Sequence, residues 1–319
     1  MSQKYVFNAY PKDGIAIREV GLRDGLQLTK SWPGTAQKVE WVNRDYKAAL
    51  RYFEVGSFLP ADKFPRFADV RDVIAAVQTK GDAHGIALAL NQRGAADALE
   101  TGVEEITVVV SASQAHNEAN VRRTQEQSLA EIANVVKLRN DLGSNTIISA
   151  GLAMSFGCSL SGDVPEDDVM RMVDRCFEAG VDMVTPADTV GYGGPRQVAS
   201  LCARMERRLG GLPYAIHLHD TRGMGIANAS AALDSGCRIF DASIAGLGGC
   251  PYAPGATGNV VLEDLVFLAE TKGFYTGIDI EALFETRALL TDALPEATLH
   301  GAMAQAGLPK TANWRACAA

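Results

Sequence analysis

The chain has 319 residues, of which 47% are hydrophobic and 21% are charged, and its formal net charge at pH 7 is −8. This composition excludes a long disordered chain, and 31 glycines without a G-X-Y repeat exclude a collagen-like protein. The acidic balance argues against nucleic acid or an anionic membrane surface as the main partner, because neutralising phosphates requires clustered lysines and arginines.

Eight short apolar runs alternate with longer amphipathic stretches. In chain order, the predicted strands are 15–20, 52–56, 85–90, 105–110, 146–150, 182–185, 215–219 and 238–243. Between them, helices are predicted at 35–50, 67–79, 124–141, 165–179, 195–209 and 225–235, several of which open at a proline or polar cap. Strand–helix alternation predicts a parallel sheet, and eight strands favour a (β/α)8 TIM barrel over an open doubly wound sheet.

The domain prediction is one catalytic barrel domain spanning 1–319. The barrel is expected at about 14–275, followed by a C-terminal helical extension at about 276–319 that packs on it. The six cysteines form no C-x-x-C pair, and the chain shows neither a targeting pattern nor an apolar run of the ~18 residues that a membrane span needs. We therefore expect a soluble cytoplasmic protein with reduced thiols.

Reactive groups of such a barrel lie where strands end, at its C-terminal face. This rule selects Glu54 and Ser57 at the end of the second predicted strand, Asn91 after the third and Asp188 after the sixth. These side chains are therefore candidates for the functional site.

His217 and His219 lie two residues apart on a predicted strand, so both imidazoles point to one face. A pair of hydrogen-bonded structural histidines is one interpretation of this spacing. The pair stands at a strand end beside Asp220, which favours a metal site. Imidazoles combined with oxygen donors, and without a cysteine ligand, suit Mg²⁺ or Mn²⁺ better than structural zinc.

Arg23 and Asp24 directly follow the first predicted strand. Taken alone, such a pair is most simply a solvated ion pair of little energetic value. With two histidines across the barrel, Asp24 becomes a candidate third ligand, and Arg23 becomes a donor for oxyanion charge.

A glycine-rich loop at 245–259 carries five glycines and Cys250. Its spacing matches neither a dinucleotide-binding glycine motif nor a phosphate loop. We interpret it as a closing lid. Cys250 is either an inert small residue or a proton-transfer group within that lid.

Three runs, 19–27, 217–228 and 246–259, together resemble 3-hydroxy-3-methylglutaryl-CoA lyases, within the metal-dependent TIM-barrel lyase and acyltransferase superfamily. The resemblance spans about residues 14 to 300. It implies four metal ligands, further catalytic groups and a set of substrate-binding residues. The implied ligands are Asp24, His217, His219 and Asn259; the catalytic set is Arg23, Asp24, Glu54, His217, Cys250 and Glu263; the substrate-binding set is Arg23, Gln27, Ser57, Asn91 and Asp188.

The resemblance also implies an activity and a partner. We expect cleavage of 3-hydroxy-3-methylglutaryl-CoA, or a related 3-hydroxyacyl-CoA, to acetyl-CoA and a keto acid, with Mg²⁺ or Mn²⁺ as cofactor and a homodimer as the assembly. The runs 57–67, 157–162 and 185–189 depart from the family's usual pattern. The resemblance therefore indicates the reaction type and leaves the acyl group open.

Three alternatives remain at this point. The first two runs are shared with isopropylmalate and homocitrate synthases, so a condensing acyltransferase that joins acetyl-CoA to a 2-keto acid is the main alternative. Two histidines with Asp24 also match the ligand triad of an iron oxygenase. The third alternative is a non-catalytic, metal-binding barrel, in which Arg23 and the lid would have no function.

Overall fold

The computed structural model describes residues 3–10, 14–249 and 258–311. In these ranges, eight parallel strands pair in chain order, and the last strand pairs with the first to close a barrel. The strands are β1 (Ala16–Glu19), β2 (Tyr52–Ser57), β3 (His84–Leu88), β4 (Glu105–Ser111), β5 (Ile147–Ala153), β6 (Met183–Asp188), β7 (Ala215–Leu218) and β8 (Ile239–Ala242). The predicted TIM barrel is confirmed, with every strand end within about three residues of its predicted position.

Helices surround the barrel and follow the strands along the chain. They are α1 (Gln3–Ala9), α2 (Thr35–Lys47), α3 (Val70–Gln78), α4 (Gln92–Leu99), α5 (Gln114–Val121), α6 (Gln125–Asp141), α7 (Glu166–Glu178), α8 (Pro195–Leu209), α9 (Gly225–Asp234), α10 (Leu262–Thr271), α11 (Ile280–Ala293) and α12 (Ala302–Ala306). The six predicted inter-strand helices are present, whereas α1 and α5 were not predicted. Among the described residues, none of the helices combines the length and apolar character that a membrane crossing requires.

Helix α8 shows how local sequence sets these elements. It begins at Pro195, whose fixed φ suits a first helical position, and it ends at Gly210, which adopts the left-handed φ of +58°. Its buried residues recur with helical spacing and form one apolar face against the barrel. They are Val198, Leu201, Cys202 and Met205.

Helix α1 covers the N-terminal end of the barrel. Its Val6 and the following Tyr10 are buried against the first residues of several strands, including Ala16 and Ile147. The Tyr10 hydroxyl donates a hydrogen bond of 2.7 Å to the buried carboxylate of Glu105. This end of the barrel is therefore filled by side chains, which leaves the C-terminal face to hold the site.

The C-terminal extension lies against the barrel helices as far as residue 311. The hydroxyl of Thr286 on α11 donates a buried hydrogen bond of 2.6 Å to Asp45 on α2. Asp264 on α10 accepts the backbone N–H groups of Ala302 and Met303, both at 2.8 Å, at the start of α12.

Candidate active site

A cavity of about 300 Å³ opens at the C-terminal face of the barrel. Seven of the predicted site residues line it, and they come from the strands and loops of β1, β2 and β7. They are Arg23, Asp24, Gln27, Glu54, Ser57, His217 and His219. A larger cavity of about 620 Å³, beside Tyr192 and Arg222, contains none of the predicted residues within the described part of the chain.

Arg23 and Asp24 reach the cavity through an unusually wide helical turn, Gly21–Gly25, which directly follows β1. Its hydrogen bonds join residues five apart, since the N–H of Gly25 donates to the carbonyl of Val20 at 3.2 Å. Such π-type turns are rare and occur frequently at functional sites. The turn places both side chains at the barrel mouth.

Asp24, which follows β1, lies close to His217 and His219 at the end of β7, although the two segments are distant in the sequence. One possible ligand atom from each lies within 4.8 Å of the others, and all three residues are buried. Oδ2 of Asp24 is 3.9 Å from Nε2 of His219. The structure therefore brings these three predicted ligands into one cluster.

Asn259 joins this cluster through the segment that follows β8. It forms an isolated antiparallel bridge with His219, and its Nδ2 donates to Asp24 Oδ2 at 2.7 Å and to the Leu247 carbonyl at 2.9 Å. Gly248 allows this close approach: a Cβ there would lie 2.5 Å from Asn259 Nδ2, and its φ of +137° is rarely adopted by other residues.

The cluster has the ligand types and the approximate spacing of a divalent cation site. Ligand atoms bound at about 2.1 Å lie no more than about 4.2 Å apart, so a separation of 4.8 Å needs only a small contraction. Within the described residues, Oδ1 of Asn259 is buried without a hydrogen-bond partner. A buried orphan acceptor is costly unless a ligand satisfies it, and the oxygen and imidazole donors present here suit a divalent cation.

Asp241 on β8 contacts His217 and lines the cavity, and sequence reasoning did not select it. Its Oδ2 lies 3.0 Å from Nδ1 of His217, and its Oδ1 accepts a hydrogen bond of 2.5 Å from Nε of the buried Arg18. Metal-binding histidines commonly donate their second ring N–H to a carboxylate in this way. The only signal in the sequence was the position of Asp241 on the last predicted strand; the register that sets it beside His217 is visible only in the structure.

Arg23 is held by its neighbours before any substrate is present. Its Nε is 2.8 Å from Glu54 Oε2, and its Nη1 donates to Asp24 at 2.7 Å and to Gln27 at 3.1 Å. Burial lowers the pKa of the Arg23 guanidinium, but the carboxylates of Glu54 and Asp24 outweigh this effect and raise it. Arg23 therefore remains a fixed positive charge at the cavity.

The two histidines differ in their electrostatic surroundings. Burial and the neighbouring His217 lower the pKa of His219 to about 4, so its ring is neutral near pH 7. Burial also lowers the pKa of His217, but its hydrogen bond and charge interaction with Asp241 prevail and raise it. Burial raises the pKa of Asp24, whereas Arg23 and both histidines lower it, and the net shift is downward.

Asn91 and Asp188 are predicted site residues that do not line the described cavity. Asn91 caps α4, where its Oδ1 accepts the N–H of Gly94 at 2.9 Å. Asp188 accepts the N–H groups of Tyr192 at 2.8 Å and Gly193 at 3.1 Å, and burial raises its pKa to about 6. Both side chains shape the loops around the barrel mouth.

Glu263 and Cys250 are the remaining predicted catalytic residues. Glu263 does not line the described cavity; it accepts the N–H of Ala245 at 3.0 Å and pairs with Arg287 at 3.3 Å. Cys250 lies outside the described residues. Their catalytic roles stay predictions.

Fold and site together define a class: a (β/α)8-barrel protein with a candidate divalent cation site and an adjacent arginine at its C-terminal face. The HMGL-like family model matches residues 14–290, and the chain belongs to this family. The resemblance inferred from the sequence is thereby confirmed.

Several known proteins are similar over most of the chain. A hydroxymethylglutaryl-CoA lyase of Bacillus subtilis is 38% identical over 275 residues, which cover 86% of this chain and 91% of that protein. An (R)-citramalyl-CoA lyase of Chloroflexus aurantiacus is 34% identical over 293 residues, covering 88% and 92%. A solved HMG-CoA lyase from Acinetobacter baumannii, in complex with coenzyme A and 3-methylmalate, has a TM-score of 0.87 and 34% identity, covering 94% and 97%.

Proposed function

We propose that this chain is a divalent-metal-dependent lyase that cleaves 3-hydroxy-3-methylglutaryl-CoA, or a related 3-hydroxyacyl-CoA, to acetyl-CoA and a keto acid. The observation that carries the proposal is the cluster of Asp24, His217 and His219 at a cavity that also holds Arg23. The relatives named above support it, because they act on acyl-CoA thioesters by name and one solved structure contains coenzyme A.

The reaction breaks the C2–C3 bond of the thioester. The C3 hydroxyl gives its proton to a base in the cavity and becomes the carbonyl of the keto acid, while the C2–C3 electron pair passes into the thioester enolate. A proton then reaches C2 and gives acetyl-CoA. Negative charge develops on two oxygens in this sequence, so positive groups near each of them lower the barrier.

Asp24, His217, His219 and Asn259 would hold the cation, and Mg²⁺ or Mn²⁺ suits this mixed oxygen and imidazole set. When bound, the cation supplies Lewis-acid stabilisation of negative charge on oxygen. Asp241 keeps Nδ1 of His217 engaged at 3.0 Å, so that Nε2 is the ring atom available to a ligand.

Arg23 would stabilise the enolate oxygen of the departing acyl-CoA. Because Glu54, Asp24 and Gln27 already hold its guanidinium, little reorganisation is needed when charge develops. Removing one such donor typically costs about 10²–10³ in rate. The proton for C2 is assigned to Cys250 or to an acidic neighbour.

The test is a panel of 3-hydroxyacyl-CoA thioesters, incubated with purified protein and Mg²⁺ or Mn²⁺, with acetyl-CoA release as the readout. Wild type is compared with Asp24→Asn, Cys250→Ala and the control Arg71→Gln, a surface change on α3. We expect release by wild type and the control, and strong loss in Asp24→Asn. Failure to cleave any thioester while metal binding is measurable would remove the proposal.

Related assays on the same purified protein separate the lyase from the alternative enzyme classes. Thiol release from acetyl-CoA that depends on an added 2-keto acid would indicate a condensing acyltransferase instead. Oxygen uptake with added Fe²⁺ would indicate an oxygenase. Loss of activity in Asp24→Asn but not in Cys250→Ala would withdraw the proton-transfer role assigned to Cys250.

Three finer points belong to the same proposal. The preference between Mg²⁺ and Mn²⁺ is measured by comparing the activity of metal-free protein after each ion is restored. The expected homodimer is tested by light scattering of the purified chain. The cytoplasmic location is tested by fractionating cells that produce the protein.

A further inference from the structure

The cavity has two unlike sides. The charged and metal-binding groups come from β1, β2, β7 and β8, whereas the strands β3 to β6 contribute uncharged side chains that are small or apolar apart from Thr107 and Thr185. We define the apolar wall as Leu88, Leu90, Val109, Gly151, Ala153 and Ala187. A substrate whose reacting oxygens face the cation site presents its opposite side to this wall.

The apolar wall cannot satisfy a charged group. The described cavity lining contains two arginines, Arg18 and Arg23, and each is already paired with carboxylates: Arg18 with Asp241 and Glu105, at 2.5 and 3.2 Å. His116 also lines the cavity, and burial lowers its pKa to about 4, which keeps it neutral near pH 7. The threonine hydroxyls on this side are already engaged, Thr107 with Ser149 at 3.2 Å and Thr185 with Arg18 at 3.3 Å. A carboxylate against the apolar wall would therefore lose its hydration without gaining a cationic partner, so an uncharged group fits there better.

Gly151 lies in the middle of the apolar wall. On β5 it is in register with Val109 of β4 and with Thr185 of β6, and all three residues line the cavity. The backbone does not require glycine here, because Gly151 is absent from the positive-φ positions of the described chain. Packing does not require it either: a Cβ would approach Thr107 Cγ2 to 3.7 Å, which is ordinary contact.

What the glycine provides is therefore open space in the cavity. Any other side chain at this position would project between Val109 and Thr185 and shorten the distance across the cavity. The neighbouring wall residues Ala153 and Ala187 are also small, which extends the space along β5 and β6. A methyl substituent would leave part of this apolar surface uncovered, and covering it is favourable.

We propose, on the basis of the lyase function proposed above, that the natural substrate carries at C3 an uncharged alkyl group longer than methyl, and that Gly151 sets the length accepted. The bond broken and the proton transfers are those of the proposed reaction. The substituent leaves on the carbonyl carbon of the keto acid, so the second product is a longer 3-oxo acid.

The test measures kcat/KM for a series of 3-hydroxy-3-alkylglutaryl-CoA thioesters with methyl, ethyl, propyl and isobutyl groups at C3. Because one methylene in a fitted pocket changes kcat/KM by about 10-fold or more, we expect wild type to prefer propyl or isobutyl over methyl by at least that factor. Gly151→Val should reverse the preference, and Gly151→Ala should shift the optimum to a shorter group. The control is Gly34→Ala, at an exposed position with no atom within 4 Å of the added Cβ.

The outcomes separate this inference from the proposed function. Equal or faster cleavage of the methyl thioester by wild type, or an unchanged preference in both Gly151 variants, overturns the inference and leaves the lyase function standing. Cleavage of no member of the series by wild type overturns the lyase function itself. Thermal unfolding identifies a variant that fails to fold, and the Gly151→Ala comparison then decides the length question.

Discussion

Nδ1 of His217 on β7 lies 3.0 Å from Oδ2 of Asp241 on β8, and the other oxygen of this carboxylate is held by Arg18 at 2.5 Å. The carboxylate is thus fixed on both oxygens. It orients the imidazole and selects the ring atom that remains available to a ligand. The link runs on from Arg18 to Glu105 at 3.2 Å, so a buried polar network connects the candidate metal site with the opposite end of the barrel.

Asp241→Asn should weaken metal binding without unfolding the barrel. The amide has the same shape but no charge, so it orients His217 poorly, and changes of this kind typically cost 10–100-fold in metal affinity. Isothermal titration with Mn²⁺ measures the effect. Asp234→Asn, at an exposed ion pair with Lys272, is the matched control and should bind Mn²⁺ as wild type does. Equal affinity in all three proteins would show that Asp241 does not position the ligand.

Arg23→Gln should lower kcat by about 10²–10³, because it removes a prearranged donor at the developing oxyanion. The Mn²⁺ affinity of this variant should be unchanged or higher, because the Arg23 guanidinium no longer competes with the metal ion for Asp24. Steady-state kinetics and metal titration together separate this role from a structural one, and Arg71→Gln serves as the surface control. Parallel losses of activity and metal binding would assign Arg23 to the metal site instead.

Glu263→Gln should flatten the pH dependence of stability. Burial raises the pKa of Glu263 from its ordinary value of 4.5 to about 7, although the N–H of Ala245 and the charge of Arg287 oppose the shift. Between about pH 4.5 and pH 7, Glu263 is therefore protonated in the folded state and ionised in the unfolded state. The corresponding stability is fully present below about pH 4.5 and is lost as pH rises through about 7.

This linkage amounts to about 3 kcal/mol in the free energy of unfolding. Urea unfolding of wild type and Glu263→Gln at pH 5 and pH 8 measures it. We expect wild type to lose more stability than the variant between these pH values. An identical loss in the two proteins would mean that Glu263 does not titrate in this range.

Tyr10→Phe should destabilise the fold, because it removes one of the donors to the buried Glu105 carboxylate, at 2.7 Å. Hydrogen bonds to charged groups contribute about 1.5–3 kcal/mol. Tyr46→Phe makes the same chemical change at an exposed bond to Asp82 and should cost less. Urea unfolding measures the loss of unfolding free energy in each variant. Equal losses in the two variants would show that burial does not strengthen the Tyr10 hydrogen bond.

Local pattern was sufficient to predict the barrel and part of its site. Strand alternation places His217 and His219 on one face whatever the rest of the chain does, and the position of Asp24 after β1 brings it to the same end of the barrel. The same rule selected Asn91 and Asp188, which also stand at strand ends. Their side chains turn to backbone N–H groups of their own loops, and that choice depends on loop conformation.

Asp241 illustrates the opposite case. In the sequence it is one acidic residue in a short strand, similar to many others. Its role depends on the β7–β8 register, which sets it beside His217, and on Arg18 reaching it from β1. The role of Gly151 also depends on tertiary structure. The space that it leaves in the cavity is defined by the neighbouring strands β4 and β6.

The amino-acid sequence by itself determined the order of strands and helices, the closed parallel barrel and the residue types of a metal site at its C-terminal face, because periodicity and strand ends are properties of neighbouring residues. Only the tertiary structure decided which acids reach the cavity, which group orients His217 and where the cavity is apolar. Those relationships join distant residues, such as Arg18 and Asp241, which are 223 positions apart, and their geometry is set by strand register and packing across the barrel.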